Sequence, residues 1–236
     1  WLCIPVPPGI RCSLIARNGV TQAIDSHGTL LDEFQSILPG GSYFTAYGGD
    51  RKSYSILDCI QVESSLEGDS EASQLVYFVL DMMAWNGNLF YNCSAESRFW
   101  MRTNWLAELE GVNEINKANT SMRNDRLILN LPVYNPDEAG LLAAIQSPMQ
   151  FEITITTPLH RLSTKRESDV CSYPTMSEVA HDESEPIAMP SAIIYCNHIE
   201  CQVDSVMFYF KDMDYVLETT PVMCILPLSN TMELIE

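Results

Sequence analysis

The chain has 236 residues, a length that a mixed or all-β fold often uses as one domain with a sizeable core. Its composition is globular (46% hydrophobic, 19% charged), which excludes wholesale disorder, and its apolar runs stop well short of eighteen residues, which excludes a membrane-spanning helix. Thirteen basic against 31 acidic residues leave a net charge of −18; this excludes a sequence-blind nucleic-acid binder but not a small local site for a nucleotide.

The chain opens Trp1-Leu2-Cys3-Ile4 with no initiator Met and no basic leader, so it reads as an excerpt of a longer protein. Trp1 to Val6 is apolar, Pro7-Pro8-Gly9 turns, and Arg11 to Ala16 forms a second run before the hairpin signal Arg17-Asn18-Gly19. Ser26-His27-Gly28 marks another turn, and Leu30 to Leu38 has helical spacing stopped by Pro39-Gly40-Gly41. Tyr54 to Val62 and Gln74 to Met83 are strongly β-like, and the acidic, Ser-rich stretch Glu63 to Ser73 between them reads as a solvated loop. Arg98 to Leu109 suits a buried helix or a strand running into one. Asn135-Pro136-Asp137-Glu138 caps a helix through Gln146, with Leu141, Leu142 and Ile145 as its apolar stripe.

Further on, Phe151 to Thr157 alternates as a strand, and the polar, Pro-punctuated stretch 160–190 reads as a long acidic surface loop. Ile193 to Cys201 and Val203 to Phe210 then read as the two strands of a hairpin. The sum is α+β: antiparallel sheets with flanking helices, in one domain over residues 1–236 with acidic surface loops near 63–73 and 160–190.

The eight cysteines are scattered, several inside apolar runs, and read as reduced thiols of a cytosolic or nuclear protein. Cys196, His198 and Cys201 lie within six residues, but no second Cys pair completes a tetrahedral set, so no metal is expected there. The sequons at Asn92 and Asn119 carry no weight without evidence of secretion.

Three stretches together carry a resemblance. The first is Phe34 to Gly41 followed by Tyr54-Ser55-Ile56-Leu57-Asp58-Cys59-Ile60. The second is Tyr77-Phe78-Val79-Leu80-Asp81-Met82-Met83 with Trp85, Gly87, Phe90-Tyr91, Cys93 and Arg98-Phe99. The third is Val203-Asp204 with Phe208-Tyr209, Lys211, Tyr215 and Thr220-Pro221. The chain resembles the snurportin family in its trimethylguanosine-cap-binding domain. That family in turn resembles the nucleotidyltransferases of mRNA capping, so the resemblance implies an mRNA-capping-enzyme-like fold. Leu57-Asp58-Cys59-Ile60 and Leu80-Asp81 look like the capping strands without their chemistry. Guanylyl transfer needs a nucleophilic Lys, and none of Lys52, Lys117, Lys165 and Lys211 begins a Lys-x-Asp-Gly turn. No catalytic residue, metal or cofactor is therefore expected.

A methylated, positively charged guanine wants aromatic faces, each worth on the order of 1–3 kcal/mol, and its phosphate bridge wants Arg, Lys or backbone N–H groups. The resemblance implies cap-binding positions at Val6, Arg11, Ser26, His27 and Ile225, with Lys211 and Tyr215 as further pocket candidates. Arg11 matches the family's Arg. The neighbouring Lys is Ile10, and the Lys before Gly28 is Ser26, with His27 beside it. The family's stacking Trp is Ile225, in the run Cys224-Ile225-Leu226-Pro227. Tyr215 and Trp85 are the rings that could substitute, and Asp58 and Asp81 are expected to cap turns or to pair within the fold. A second cap-contacting Trp is expected upstream of Trp1.

The implied role is a nuclear import adaptor carrying trimethylguanosine-capped small nuclear RNA. It would meet importin-β through an upstream segment and an exportin for recycling, shuttling between nucleus and cytoplasm with no membrane partner. The alternative is a diverged member that has lost the cap and serves as a protein-interaction module.

Overall fold

Asn18 and Gly19 both take positive φ, 55° and 86°, the geometry a two-residue hairpin turn needs, and they join β2 (Ile10–Arg17) to β3 (Val20–Asp25) as the sequence predicts. The computed structural model describes residues 1–42, 45, 53–65, 73–109, 114–116, 126–158, 192–216, 221 and 223–232.

The large sheet runs in the order β4 (Leu30–Phe34), β3, β2, β5 (Tyr54–Ser65), β6 (Ser73–Trp85) and β7 (Asn88–Leu89), with β9 (Leu127–Asn130) pairing parallel to β6. It curls enough for Tyr77 on β6 to stack on Phe34 of β4, at 5.3 Å between centroids, and to donate its hydroxyl to Asp32 at 2.8 Å. One face holds Leu14, Leu57, Cys59, Tyr77 and Val79 in a core closed by Leu106 of α1 (Ala95–Glu108). The other face carries Ile60, Val76, Phe78 and Leu80. It packs on a second sheet, β1 (Leu2–Val6), β12 (Ser205–Tyr209) and β13 (Met223–Pro227), through Leu2, Ile4, Val6, Met207, Tyr209 and Met223.

A third sheet, β11 (Ala192–Cys201), β10 (Met149–Pro158) and β8 (Glu114–Asn116), adds Ile153, Ile155 and Ile199 to this core. The short helix α2 (Glu138–Ile145) covers the outer face of the second sheet through Leu141 and Ala144 against Cys3, Val206 and Phe208. A last helical turn, α3 (Leu228–Met232), follows β13. The fold is thus α+β with mainly antiparallel sheets and few helices.

Several expectations change. Leu30 to Leu38 is no helix: Leu30–Phe34 pairs with β3 as a strand, with a register irregularity at Ala23/Ile24. Residues 63–65 extend β5 and Ser73 opens β6; the rest of that expected loop, 66–72, lies outside the described residues. The stretch 160–190 also lies outside them. The two late strands do not form a hairpin: β11 pairs with β10, while β12 lies between β1 and β13. Arg98 to Leu109 is helical throughout to Glu108, started earlier by the Ser94 cap, whose hydroxyl accepts from the Ser97 N–H. The Asp137 side chain caps α2 by accepting from the Gly140 N–H.

Candidate functional site

Side chains opposite one another in an antiparallel ladder share a face. Arg11 stands opposite Ile60, and Asp58 lies two residues before Ile60 on the same strand, so both point to the side that meets the second sheet. There Arg11 donates from Nε to Asp58 Oδ1 at 3.1 Å and from Nη2 to Oδ2 at 2.6 Å, a side-on bidentate pair. Asp58 is buried, while the Arg11 side chain keeps 34% of its surface exposed. Tyr215, just after β12, donates its hydroxyl to the same Oδ2 at 3.0 Å. The pairing with Asp58 raises the Arg11 pKa further above its ordinary value, outweighing burial. Burial first, and the Asp58 charge next, push the Tyr215 phenol up as well.

A second pair lies deeper. Asp81, opposite Asp58 on β6, is fully buried and takes Arg98 Nη2 at 2.9 Å and Nε at 3.0 and 3.2 Å. Burial leaves the Asp81 carboxyl raised despite this partner. Arg98 also donates to the carbonyls of Cys93 and, at 3.0 Å, Met213, and its guanidinium lies 5.7 Å from the Tyr215 ring centre. The segment bearing Tyr215 is therefore pinned to α1. The Tyr209 hydroxyl is buried among these charges with no hydrogen-bond partner among the described residues, and burial, then Asp81 and Asp58, raise its pKa.

The facing wall comes from the second sheet. Its register sets Ile4, Met207 and Ile225 in one row and Val6, Ser205 and Pro227 in the next, all on the side that meets the large sheet. Val6 is buried. Ile225, on the edge strand, is 49% exposed. Ser26 and His27 form the exposed β3–β4 turn, beside Arg11 because Cys12 pairs with Asp25; the Asp25 carboxylate accepts from the His27 and Thr29 N–H groups. Lys211 is turned aside, its Nζ 3.5 Å from Glu96 Oε1.

Trp85 lies on the other side of the large sheet from Arg11: it stacks on Trp105, 6.1 Å between centroids, beside the opposite core. Alternation along β11 leaves Cys196 and His198 exposed and sends Cys201 into the core, so the three do not converge. Residues absent from the sequence reading of the site are Arg98 and Arg102, both fully buried on α1. Their only signal was the i, i+4 spacing of two arginines on an otherwise apolar helix face. A pocket of about 750 Å³ lies elsewhere, between Asn130, Tyr134, Gln146 and Phe151, and none of the candidate residues lines it.

What the fold and site define is an α+β domain of three sheets with two ion pairs on one face of the large sheet, the outer of which leaves Arg11 partly exposed. The chain belongs to the family described as the Snurportin1 m3G cap-binding domain, whose model matches residues 1–155. The match includes Val6, Arg11, Ser26, His27, Asp58 and Asp81. It ends before Lys211, Tyr215 and Ile225, whose places follow from the register and hydrogen bonds above. Among solved structures, the ligase domain of M. tuberculosis LigD is similar over 61% of this chain at 10% identity and a TM-score of 0.39; this chain spans 43% of that one.

Proposed function

We propose that this domain binds the trimethylguanosine cap of small nuclear RNA, without catalysis, as the RNA-recognition part of a nuclear import adaptor. The observation that carries the reading is Arg11, on a matched strand of the cap-binding family, partly exposed and held by Asp58 and Tyr215. The base would lie against the Val6 and Ile225 wall, and the phosphate bridge would meet Arg11 with Ser26 and His27 beside it. Importin-β and an exportin are the partners this role calls for, with shuttling between cytoplasm and nucleus. In this reading the cap site is diverged, which the sequence supports: the exposed Ile225 takes the position that the resemblance gives to a stacking ring, and no Lys flanks Arg11.

Calorimetric titration with trimethylguanosine and monomethylguanosine cap dinucleotides tests the reading. Binding that prefers the trimethylated cap supports it; no binding of either removes it. The exposed Ile225 favours a second reading, a module that has kept the fold and now binds protein. That reading gains if no cap analogue binds.

A further inference from the structure

We propose that Asp58 and Tyr215 are positioning residues that fix the Arg11 guanidinium so that its end-on edge grips one phosphate group. The proposal rests on the cap-binding reading only for the identity of the ligand; the grip itself follows from geometry.

Arginine has five N–H donors in a planar fork. The side-on pair with Asp58 uses Nε–H and one Nη2–H. The donors left over are the two on Nη1 and one on Nη2, and the end-on edge of that set is two parallel N–H bonds. Two oxygens of a phosphate match that edge. A free surface arginine would have to give up rotamer freedom to present it. Here the freedom is already gone, because Asp58 is buried and cannot swing.

Tyr215 is what stops the carboxylate from rotating. Its hydroxyl takes the same Oδ2 that receives Arg11 Nη2, so the carboxylate plane is set from two directions. Tyr215 is itself fixed: its backbone N–H donates to the Tyr91 carbonyl at 2.8 Å, and Arg98 holds the Met213 carbonyl two residues earlier. The chain of support runs from α1 through the segment after β12 to Arg11. Because Asp58 already balances the Arg11 charge, the site grips by shape rather than by excess positive charge, which suits a site on an acidic protein.

The test titrates the whole chain with two separate probes, inorganic pyrophosphate and trimethylguanosine nucleoside. Binding is followed by NMR of the arginine Nε–H signals, with Arg11 assigned from Arg11→Gln. Wild type should bind pyrophosphate with a shift at Arg11. Tyr215→Phe, which keeps the ring and the fold, should weaken pyrophosphate about three- to tenfold and leave the nucleoside unchanged. Asp58→Asn, which replaces one acceptor oxygen with a donor, should weaken pyrophosphate further. Equal pyrophosphate affinity in wild type and Tyr215→Phe, at equal thermal stability, overturns the proposal. So does pyrophosphate that leaves the Arg11 signal unmoved in wild type. A nucleoside that fails to bind while the pyrophosphate arm succeeds overturns the cap reading alone and supports the phosphate grip.

Discussion

At the scale of single residues, the proposed cap site turns on position 225. The ladder places this side chain on the face of an edge strand that meets the large sheet, level with Met207 and Ile4, and leaves half of it open. An aliphatic side chain there offers a contact surface but no π face. A base stacked on an aromatic ring gains on the order of 1–3 kcal/mol. Ile225→Trp is therefore expected to raise affinity for the trimethylguanosine cap roughly ten- to hundredfold, with little cost in stability because the site is exposed. A cap-analogue titration of the variant beside wild type checks this; no gain would mean that the base lies elsewhere. The sequence reveals which residue occupies this position. It does not reveal that Arg11 and Asp58 share a face, which needs the register of β2 against β5. Nor does it point to Arg102, whose guanidinium meets no carboxylate among the described residues: it lies buried on the Val79, Leu80 and Leu131 carbonyls, and burial draws its pKa down to about 10.

At the scale of elements, two anchors hold the site's frame. One is α1, tied through Arg98 to Asp81 on β6 and to the segment before Tyr215. Removing one partner of a buried ion pair leaves an uncompensated charge, at a cost of about 3–5 kcal/mol, whereas replacing both with apolar groups is often close to neutral. Arg98→Met is expected to lose that much stability in urea unfolding, and Arg98→Met with Asp81→Leu to recover most of it.

The other anchor is β4. Burial would raise the Asp32 carboxyl, but hydrogen bonds from Arg126, at 2.7 Å, and Tyr77, at 2.8 Å, prevail and lower it below the ordinary carboxylate value. A lowered folded pKa means that the contribution to stability is present above the unfolded value, about 3.9, and is lost as pH falls through the folded one. Stability should thus fall on acidification below about pH 4, and Asp32→Asn should flatten that part of the profile in thermal scans.

The same strand shows why local pattern misleads. Leu30, Leu31, Phe34 and Leu38 have helical spacing, yet the strand forms because β3 offers a ladder and Tyr77 offers Phe34 a ring to stack on, and both are tertiary partners. The β2–β3 hairpin was legible because its turn chemistry is local. The β11 and β12 pairings were not, since their partners, β10 and β1, are distant in the chain.

At the scale of the whole molecule, net charge and the grip at Arg11 together set what kind of RNA contact is possible. Each phosphate that a protein neutralises on a single strand steepens the fall of affinity with salt by about 0.7 in a plot of log affinity against log salt. Arg11 is already balanced by Asp58, Arg98 is buried against Asp81, and Lys211 pairs with Glu96. Beyond these pairs, a net charge of −18 repels a polyanion. Two outcomes follow for trimethylguanosine-capped ligands. The salt slope should be about −1 or shallower. A capped oligonucleotide of about ten nucleotides should bind no tighter than the cap dinucleotide, and should bind more weakly at low salt, where repulsion is least screened. Titrating both ligands between roughly 50 and 300 mM salt reads both quantities. A steep slope, or an oligonucleotide that wins at low salt, would place a basic RNA path on this surface and break the link drawn here between the acidic exterior and recognition of one modified nucleotide.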